Sequence, residues 1–473
     1  MTLPTISPDA LDDGALEALR SLLPGKVSTD ADTVAEASAD SSVRTKKARA
    51  NGWNRPLARA VVRAGSTSDV VATIRWAKER GVAVTTRGLG SAVVGSGTPT
   101  HGGVVLDLAD LDEVGPVDTV NRTVTVGAGA RLSDIDEKIV ASGLSCGHYP
   151  QSFSLASIGG SIAMRGSGTF SSLHGNVEDR VADVEVVLGD GTVVQTQSMP
   201  RAAVGPDLKQ VFVGSEGVLG VITKVTLRLV PLPAARRFAA FRFPGFEGAL
   251  AVARQLLVDG VRPAVVRIYD PVESAAKHAG FAGEGGWLMI LVFDGHEQLV
   301  DTQEKIAADL AAQHQGEDLG PEPAQDWERK RFNWSWFTDK VDQPGGIAEA
   351  IEIAAPWSDL PAIYERLREV VTAELGEFMA HVSHVYDQGA ALYAIVRGDL
   401  ADDKAAMAAY DSIFGIVIDE ALAAGARISH HHGVGTERTR WMPQELGTGL
   451  DMLRGIKVAL DPAGILNPGK LGL

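Results

Sequence analysis

Apolar residues recur at two spacings along the first half of the chain, and these spacings predict short strands and helices. Residues 70–80 show helical spacing, between candidate N-caps at Ser66–Asp69 and a glycine stop at Gly81. A further strand, turn and helix are expected over 123–144. Alternating or continuous apolar runs predict strands at 58–64, 82–86, 104–108 and 220–230, and a strand pair over 182–196 around the turn Gly189–Gly191.

The pattern changes after residue 233, where longer helical stretches alternate with strands and the aromatic content rises. Helical spacing is clear at 248–260 and near 447–459, and strand-like runs occur at 286–294, 349–355 and 390–397. We therefore predict an α+β fold. Its expected parts are a helical N-terminal segment (1–55), a ligand-binding domain (56–232), an α/β second domain (233–415) and a C-terminal segment that returns to the ligand-binding domain (416–473).

Composition narrows the class of protein without naming its chemistry. A chain of 473 residues exceeds what one hydrophobic core usually organises, so we expect at least two domains. The formal charge of −16 argues against nucleic acid or an anionic membrane as a main partner. We find no apolar run of about 20 residues that could span a membrane, and no secretion-signal pattern at the start. The single cysteine, Cys146, excludes an internal disulfide, so we expect a cytoplasmic location.

Glycine is in clear excess, with 52 copies concentrated in a few stretches. The stretch 87–97, RGLGSAVVGSG, follows a predicted strand and brings many unhindered backbone N–H groups together, which suits a phosphate or pyrophosphate. It lacks the GK[ST] ending of a Walker loop and the spacing of a Rossmann dinucleotide motif. Taken alone, it is equally consistent with a surface turn.

Two further glycine-rich stretches complete a recognisable pattern. They are PQSFSLASIGGSIAMRGSGTFSSLHGNVEDRV (150–181) and GSEGVLGVIT (214–223). With 87–97 and the tail ILNPGKL (465–471), they resemble the FAD-binding PCMH-type domain of the vanillyl-alcohol oxidase / p-cresol methylhydroxylase superfamily. The segments RIYD (267–270), IEIAAPW (351–357), VSHVYDQGAALYAIV (382–396) and SHHHGVG (429–435) are similar to its alkyldihydroxyacetonephosphate synthase branch. The resemblance implies a two-subdomain FAD-binding domain with a substrate-binding cap domain.

The same resemblance implies FAD as the cofactor and assigns its contacts. The pyrophosphate contacts would be Arg87, Gly88, Gly90, Ser91, Ala92, Val93 and Gly95. Those of the isoalloxazine ring and ribityl chain would be Pro150, Ser152, Ile158, Gly159, Gly160, Ser161, Gly166, Ser167 and Gly168. Toward the adenine side they would be Glu216, Gly217, Gly220 and Ile222.

The catalytic residues implied by the synthases are a tyrosine, a histidine triplet and an arginine. The matching positions here are Tyr393, the triplet His430, His431 and His432, and Arg267. A histidine near its ordinary pKa can accept or deliver a proton, and a phenol can share that task if neighbours lower its pKa. These groups would act on a substrate carbon or hydroxyl while the flavin takes a hydride or bonds the substrate.

A metal site is not expected. Hydroxyacid dehydrogenases of the superfamily carry metal ligands in a GDGNLH-like stretch, where this chain reads YDQGAALY (386–393). His381 and His384 could suggest a metal pair, but the second metal-binding histidine would fall at Tyr393 and the usual glutamate at His431.

One position departs from the synthases, which carry an arginine in a YxRD-like segment before the APW motif. Thr338 takes that place here. Arg331 or Lys340 could substitute, although a lysine does not reproduce a bidentate arginine clamp. If that arginine engages the substrate phosphate, its loss puts dihydroxyacetone-phosphate chemistry in doubt and favours a phosphate-free or bulkier substrate.

Three functions stay open on the sequence. The leading hypothesis is an FAD-dependent oxidoreductase that oxidises a hydroxyl-bearing small molecule and passes the electrons to an acceptor. The second is an alkyldihydroxyacetonephosphate synthase, which exchanges acyl for alkyl with no net redox change. The third is a metal-dependent or flavin-free binding protein on the same scaffold. A homodimer is kept open as the oligomeric state.

Overall fold

The mixed α+β fold that the sequence predicts is present in the computed structural model, which describes Ile6 and residues 10–197, 200–281, 283 and 285–473. The chain divides into two units. Unit 1 comprises Met1–Gly166, Asn176–Pro231 and His431–Leu473, and unit 2 comprises Ser167–Gly175 and Leu232–His430. The domain limits drawn from the sequence stay predictions. In the described residues, no helix is both long enough and apolar enough to cross a membrane.

The α-helices, in chain order, are α1 (Asp13–Leu22), α2 (Ala31–Ala37), α3 (Val43–Ala50), α4 (Thr67–Arg80), α5 (Leu132–Ile139), α6 (Ile158–Ala163), α7 (Ser171–His174), α8 (Val177–Arg180), α9 (Phe246–Val258), α10 (Pro271–Lys277), α11 (Glu297–Gln313), α12 (Glu322–Lys330), α13 (Ser335–Asp342), α14 (Leu360–Leu375), α15 (Asp403–Ala423), α16 (Met442–Leu446) and α17 (Gly449–Leu460). Short 3₁₀ turns occur at Val140–Ser142, Leu208–Val211 and Thr439–Trp441.

The strands are β1 (Val27–Ser28), β2 (Ala60–Arg63), β3 (Val84–Arg87), β4 (Val104–Asp107), β5 (Thr123–Gly127), β6 (Leu144–Ser145), β7 (Val181–Val187), β8 (Val193–Gln195), β9 (Val221–Arg228), β10 (Val230–Pro231), β11 (Ala235–Phe243), β12 (Val265–Tyr269), β13 (Trp287–Gly295), β14 (Glu317–Gly320), β15 (Gly346–Pro356), β16 (Met379–Tyr386) and β17 (Gly389–Asp399).

Unit 1 is built on two four-stranded sheets. In the first, of order β1-β2-β4-β3, strands β2, β4 and β3 are parallel and α4 connects β2 to β3. The predicted ends of α4 are confirmed, since Ser66 is the N-cap and Gly81 is a left-handed C-cap. The second sheet, of order β5-β9-β7-β8, is antiparallel and contains the predicted hairpin β7–β8.

The C-terminal part of the chain completes unit 1. Leu466 forms a parallel bridge with Val84 of β3, and the buried Lys457 donates to the carbonyls of Val218 and Leu466. Its charge is balanced by Asp461, whose Oδ2 lies 2.5 Å from Nζ. Ile465 and Leu466 are fully buried in the same core as α4, β2 and β3. The last residues therefore extend the core laid down by the first sheet.

Unit 2 is organised by a seven-stranded antiparallel sheet, of order β14-β11-β13-β12-β16-β17-β15. Helix α11 packs against strand β11 of this sheet, α14 against β17, and α15 against β15. Because β12, β16 and β17 are neighbours, Tyr269 lies opposite His381, and His381 lies opposite Tyr393. The strand order thus places three polar aromatic side chains in one row across the sheet.

Candidate functional site

The row across β12, β16 and β17 forms the polar centre of unit 2. The rings of His381 and Tyr393 are nearly parallel, at 21°, with centroids 4.4 Å apart. Both side chains are buried, and Arg267, two positions before Tyr269 on β12, lies beside this row with only 7% of its surface exposed. The predicted catalytic residues Arg267 and Tyr393 therefore belong to one cluster, with His381 between their strands.

A β-bulge in β16 adds a second histidine to this cluster. The pairing register shifts between Ser383 and Val385, and His384 adopts a left-handed backbone with φ of 57°. Its Nε2 lies 3.1 Å from the Tyr393 hydroxyl, and its Nδ1 lies 2.8 Å from Ser171 Oγ and 3.0 Å from Ser167 Oγ. Residues in such strained backbone often serve function. The bulge aligns serine, histidine and tyrosine in one hydrogen-bonded series.

Behind the row, Arg267 is fixed by a chain of buried polar contacts. Its Nη2 lies 2.8 Å from His381 Nε2, and His381 Nδ1 lies 2.8 Å from Glu273 Oε2. A guanidinium can only donate, so His381 accepts at Nε2 and donates from a protonated Nδ1 to Glu273. Burial lowers the pKa of His381 to about 4, which keeps the ring neutral. Burial opposes ionisation of Glu273, but His381 and Lys277 hold its pKa well below the usual range.

Tyr393 is a neutral phenol in this setting. Burial raises its pKa above the ordinary value, and the nearby Arg267 offsets this only in part. The condition that neighbours lower the pKa of this phenol is therefore not met, because loss of solvation outweighs the attraction of Arg267 for a phenolate. Tyr393 can transfer a proton by receiving one as it gives one up, which the contact with His384 permits.

The predicted histidine triplet divides between the two units. In unit 2, His430 Nε2 lies 2.7 Å from the Tyr386 hydroxyl, and its ring stacks 5.1 Å from that of His384. The His430 amide donates to the fully buried carboxylate of Glu352. In unit 1, the rings of His431 and His432 lie 4.5 Å apart. His430 therefore joins the cluster around Tyr393.

Glu216 anchors the glycines that follow the triplet in unit 1. The amides of Val434 and Gly435 donate to its two carboxylate oxygens at 2.6 and 2.9 Å. Gly433 has a left-handed backbone with φ of 85°, and a Cβ there would lie 2.8 Å from Glu216 Oε1, so any other residue would be strained at this position. The resemblance assigns Glu216 to the adenine side of FAD, but its carboxylate is committed to this loop.

The glycine loops of unit 1 meet at one place. A Cβ on Gly88 would lie 2.2 Å from Ser157 Oγ, and one on Gly435 would lie 2.0 Å from the carbonyl oxygen of Val94. Among the described residues, none accepts a hydrogen bond from the backbone N–H groups of residues 88–93. The adjoining segments contain three buried polar atoms that have no hydrogen-bond partner among the described residues: Thr86 Oγ1, Ser215 Oγ and Asn467 Oδ1. Free N–H groups beside unpaired acceptors fit a phosphate-bearing, polar cofactor such as FAD.

The predicted FAD contacts fall mainly in unit 1. Ser167 and Gly168 lie in unit 2, and the Ser167 hydroxyl contacts His384. The members in unit 1 are Arg87, Gly88, Gly90, Ser91, Ala92, Val93, Gly95, Pro150, Ser152, Ile158, Gly159, Gly160, Ser161, Gly166, Glu216, Gly217, Gly220 and Ile222. Their contacts with the cofactor stay predictions.

Comparison with known proteins decides the family. Residues 232–471, just over half of the 473, match the family described as FAD linked oxidases, C-terminal domain. Residues 58–197 match an FAD binding domain. The chain belongs to the FAD-linked oxidase family. It is an FAD-dependent enzyme, and this favours the two flavin hypotheses over a flavin-free binding protein.

Relatives of this FAD-linked oxidase family member include both oxidoreductases and synthases. It is 29% identical over 435 residues to an uncharacterized FAD-linked oxidoreductase, YgcU, of Escherichia coli K12, covering 88% of this chain and 89% of the relative. It is 29% identical over 444 residues to the alkyldihydroxyacetonephosphate synthase of Caenorhabditis elegans, covering 86% and 74%. A solved structure of an alkyldihydroxyacetonephosphate synthase shares the fold, with a TM-score of 0.83 at 23% identity over 99% of this chain and 87% of that one. The resemblance found in the sequence is confirmed.

The histidines of this family member do not assemble into a metal site. Within the described ranges, no group of three or more histidine, cysteine, aspartate or glutamate side chains could hold a metal ion. His381 has both ring nitrogens engaged, by Arg267 and Glu273. His384 faces serine and tyrosine hydroxyls at its two nitrogens. The pair therefore serves the hydrogen-bonded cluster.

The region where the synthases carry an arginine offers no clear substitute. Thr338 donates its hydroxyl proton to the carbonyl of Trp334 within α13. Lys340 pairs with Asp399 at 2.5 Å, so its charge is neutralised inside unit 2. Arg331 lies over the ring of Phe170 at 4.9 Å. Thr338 and Lys340 therefore do not reproduce a freely available arginine clamp.

Several residues of the cluster escape the sequence analysis. From the sequence, His381 and His384 are candidates only for metal binding, and no motif points to Tyr269 or Glu273. Alternation along RIYD would have placed Arg267 and Tyr269 on one face of a strand. No local pattern reveals the bulge at His384, because it arises from the pairing of β16 with β17.

Proposed function

We propose that this enzyme oxidises a hydroxyl-bearing small molecule, with Tyr393 and His384 receiving the hydroxyl proton. The observation that carries the proposal is the contact of 3.1 Å between the Tyr393 hydroxyl and His384 Nε2, backed by two serine hydroxyls at Nδ1. An alcohol becomes a carbonyl by losing a proton from oxygen and a hydride from carbon. Tyr393 and His384 supply an acceptor for the proton.

FAD fits the glycine-lined segments of unit 1, where residues 88–93 present free amides and Thr86, Ser215 and Asn467 present unpaired polar atoms. When bound, FAD supplies the acceptor for the hydride and its two electrons. The amides would hold the pyrophosphate, because several N–H groups converging on one place stabilise an anion.

The proton route follows from the partners of His384. As the neutral Tyr393 receives the substrate proton on its oxygen, it passes its own proton to His384 Nε2. His384 in turn donates from Nδ1 to Ser171 or Ser167, so each hydrogen bond in the series keeps one donor and one acceptor. General acid–base catalysis of this kind contributes about 10²–10⁴-fold to rate. His384 must therefore carry its proton on Nδ1 and accept from Tyr393 at Nε2.

Arg267 supplies positive charge for an oxygen of the substrate. Its Nε donates to the Tyr269 hydroxyl at 2.7 Å and its Nη2 to His381. Among the described residues, Nη1 has only a long contact of 3.5 Å with Ser383. A guanidinium carries five N–H groups, so donors remain for a carboxylate, carbonyl or developing alkoxide. Because His381 and Glu273 fix it from behind, Arg267 needs little reorganisation to bind such a group.

A second candidate is the synthase reaction, with no net redox change. It is favoured by the 29% identity to the synthase of C. elegans over 86% of this chain. Thr338 and the pairing of Lys340 with Asp399 weigh against it, because both leave the phosphate of such a substrate without the expected clamp.

An anaerobic substrate screen separates the two candidates. The FAD-loaded enzyme is mixed with α-hydroxy acids, primary and secondary alcohols, and acyl-dihydroxyacetone phosphate, and flavin absorbance is followed. We expect bleaching by a hydroxyl compound and none by its O-methyl ether, which lacks the transferable proton. Acyl exchange from acyl-dihydroxyacetone phosphate without bleaching would overturn the proposal and establish the synthase reaction.

A further inference from the structure

A fully buried histidine in unit 1 has no partner for either ring nitrogen. His148 is 1% exposed, and neither Nδ1 nor Nε2 reaches a hydrogen-bonding atom in the described part of the chain. Its backbone carbonyl accepts a weak hydrogen bond from the Cys146 thiol, which fixes the main chain and leaves the ring unsupported. An unpaired buried imidazole is costly, so such a group usually has a ligand.

The position of His148 indicates which ligand. Its Nε2 lies 3.7 Å from where a Cβ of Gly166 would stand, so the imidazole lies against this glycine. Gly166 belongs to the glycine-rich segment within the region that matches the FAD-binding domain, and its amide donates to the carbonyl of Ser161 in α6. The orphaned ring therefore adjoins backbone suited to approach a flat cofactor closely.

A second unpaired donor lies near the ring. Arg180, at the end of α8, has a buried Nε that no described residue accepts from. Burial and the charge of Arg180 lower the pKa of His148 to about 4, so the imidazole is neutral and offers one donor and one acceptor. The polar edge of an isoalloxazine ring, with its carbonyls and N–H, complements this pair.

We propose that His148 is an additional FAD-binding residue, whose imidazole hydrogen-bonds the flavin. The assignment goes beyond the contacts that the family resemblance supplies. It gives a partner to a buried polar ring that has none among the described residues. If His148 binds the flavin, its loss should weaken FAD binding without destabilising the FAD-free protein. Loss of a purely structural histidine would destabilise the FAD-free protein as well.

The test compares His148→Phe with His148→Gln and with Cys146→Ala, which alters the same segment but keeps the imidazole. FAD is removed, its dissociation constant is measured by flavin fluorescence, and the melting temperature of the FAD-free protein is recorded. Loss of one flavin hydrogen bond predicts roughly tenfold weaker FAD binding in His148→Phe. We expect partial recovery in His148→Gln and unchanged affinity in Cys146→Ala.

The melting temperature of FAD-free His148→Phe should equal or exceed that of the wild type, because the substitution removes an unpaired polar group. Two results would overturn the proposal. One is wild-type FAD affinity in His148→Phe. The other is weaker affinity accompanied by a lower melting temperature of the FAD-free protein, which would show a structural role. Neither readout depends on turnover, so the outcome is independent of the substrate.

Discussion

At the scale of single residues, the cluster in unit 2 is defined by groups held in one protonation state. His381 is neutral because it must accept from Arg267 and donate to Glu273 at the same time. Tyr393 is neutral because it is buried. The charged members, Arg267 and Glu273, are joined through the neutral His381. Because His381 lies between them, the Arg267 guanidinium stays near Tyr393 and is joined to the Glu273 carboxylate only through His381.

The state of His381 predicts how stability depends on pH. Its pKa falls from an ordinary 6.5 to about 4 on folding, so the unfolded chain takes up the proton first as the solution is acidified. The contribution is complete above pH 6.5 and is lost as the pH falls toward 4. A shift of this size corresponds to about 3 kcal/mol in the free energy of unfolding.

Denaturant unfolding of the wild type and of His381→Asn at a series of pH values measures the contribution of His381 to the free energy of unfolding. An asparagine amide keeps a donor toward Glu273 but does not titrate. The wild type should therefore lose about 3 kcal/mol more than the variant on acidification. Parallel curves for the two proteins would mean that His381 is not held neutral.

At the scale of elements, α10 is fixed to the sheet by its N-cap, and it carries Glu273 and Lys277 to the cluster. Asp270 accepts from the amides of Glu273 at 2.7 Å and Ala380 at 2.9 Å, and from the Tyr364 hydroxyl. It is fully buried. One carboxylate thus joins a helix, a strand and a tyrosine, so its removal should affect both fold and site.

Two N-cap substitutions test this assignment. Asp270→Ala should lower the free energy of unfolding by about 2–4 kcal/mol, because several buried donors lose their acceptor. Asp402→Ala removes the N-cap of α15, where the capping contacts are exposed, and should cost about 1 kcal/mol. Denaturant melts of both variants give the comparison, and equal losses would contradict the special role of Asp270.

Local features such as helix ends and hairpins are easier to predict from the sequence than long-range strand pairs. The ends of α4 and the hairpin β7–β8 are local, since caps and turn glycines act on neighbouring residues. The cluster depends on long-range pairing: Arg267 meets His381 only because β12 and β16 are adjacent. The bulge at His384 depends on how β16 pairs with β17, and no short window of sequence encodes that register.

The resemblance compensates for part of this gap, since it names Tyr393 and Arg267 from motifs alone. It does not state what each side chain contacts. Glu216 illustrates the difference, because its carboxylate binds amides at Val434 and Gly435, more than two hundred positions away. Neither spacing nor composition connects residues so far apart, whereas the fold of unit 1 brings them into contact.

At the scale of the whole molecule, each unit presents groups that suit a different part of the proposed reaction. Unit 1 presents free amides and unpaired polar atoms that suit FAD. Unit 2 presents Arg267, His384 and Tyr393, which suit a proton and an oxygen of the substrate. The family to which the chain belongs makes it an FAD-dependent enzyme. The oxidation of a hydroxyl group is our proposal, and it rests on the contacts of unit 2.

The most direct test is the rate of flavin reduction in a single anaerobic turnover, measured in the wild type, Tyr393→Phe and Tyr410→Phe. The substrate is the hydroxyl compound that bleaches the wild type in the screen. Tyr393→Phe should keep FAD and reduce it about 10²–10⁴-fold more slowly, because the proton loses its acceptor. Tyr410→Phe removes a buried phenol on α15 and should retain the wild-type rate. Equal rates in Tyr393→Phe and the wild type would contradict the account.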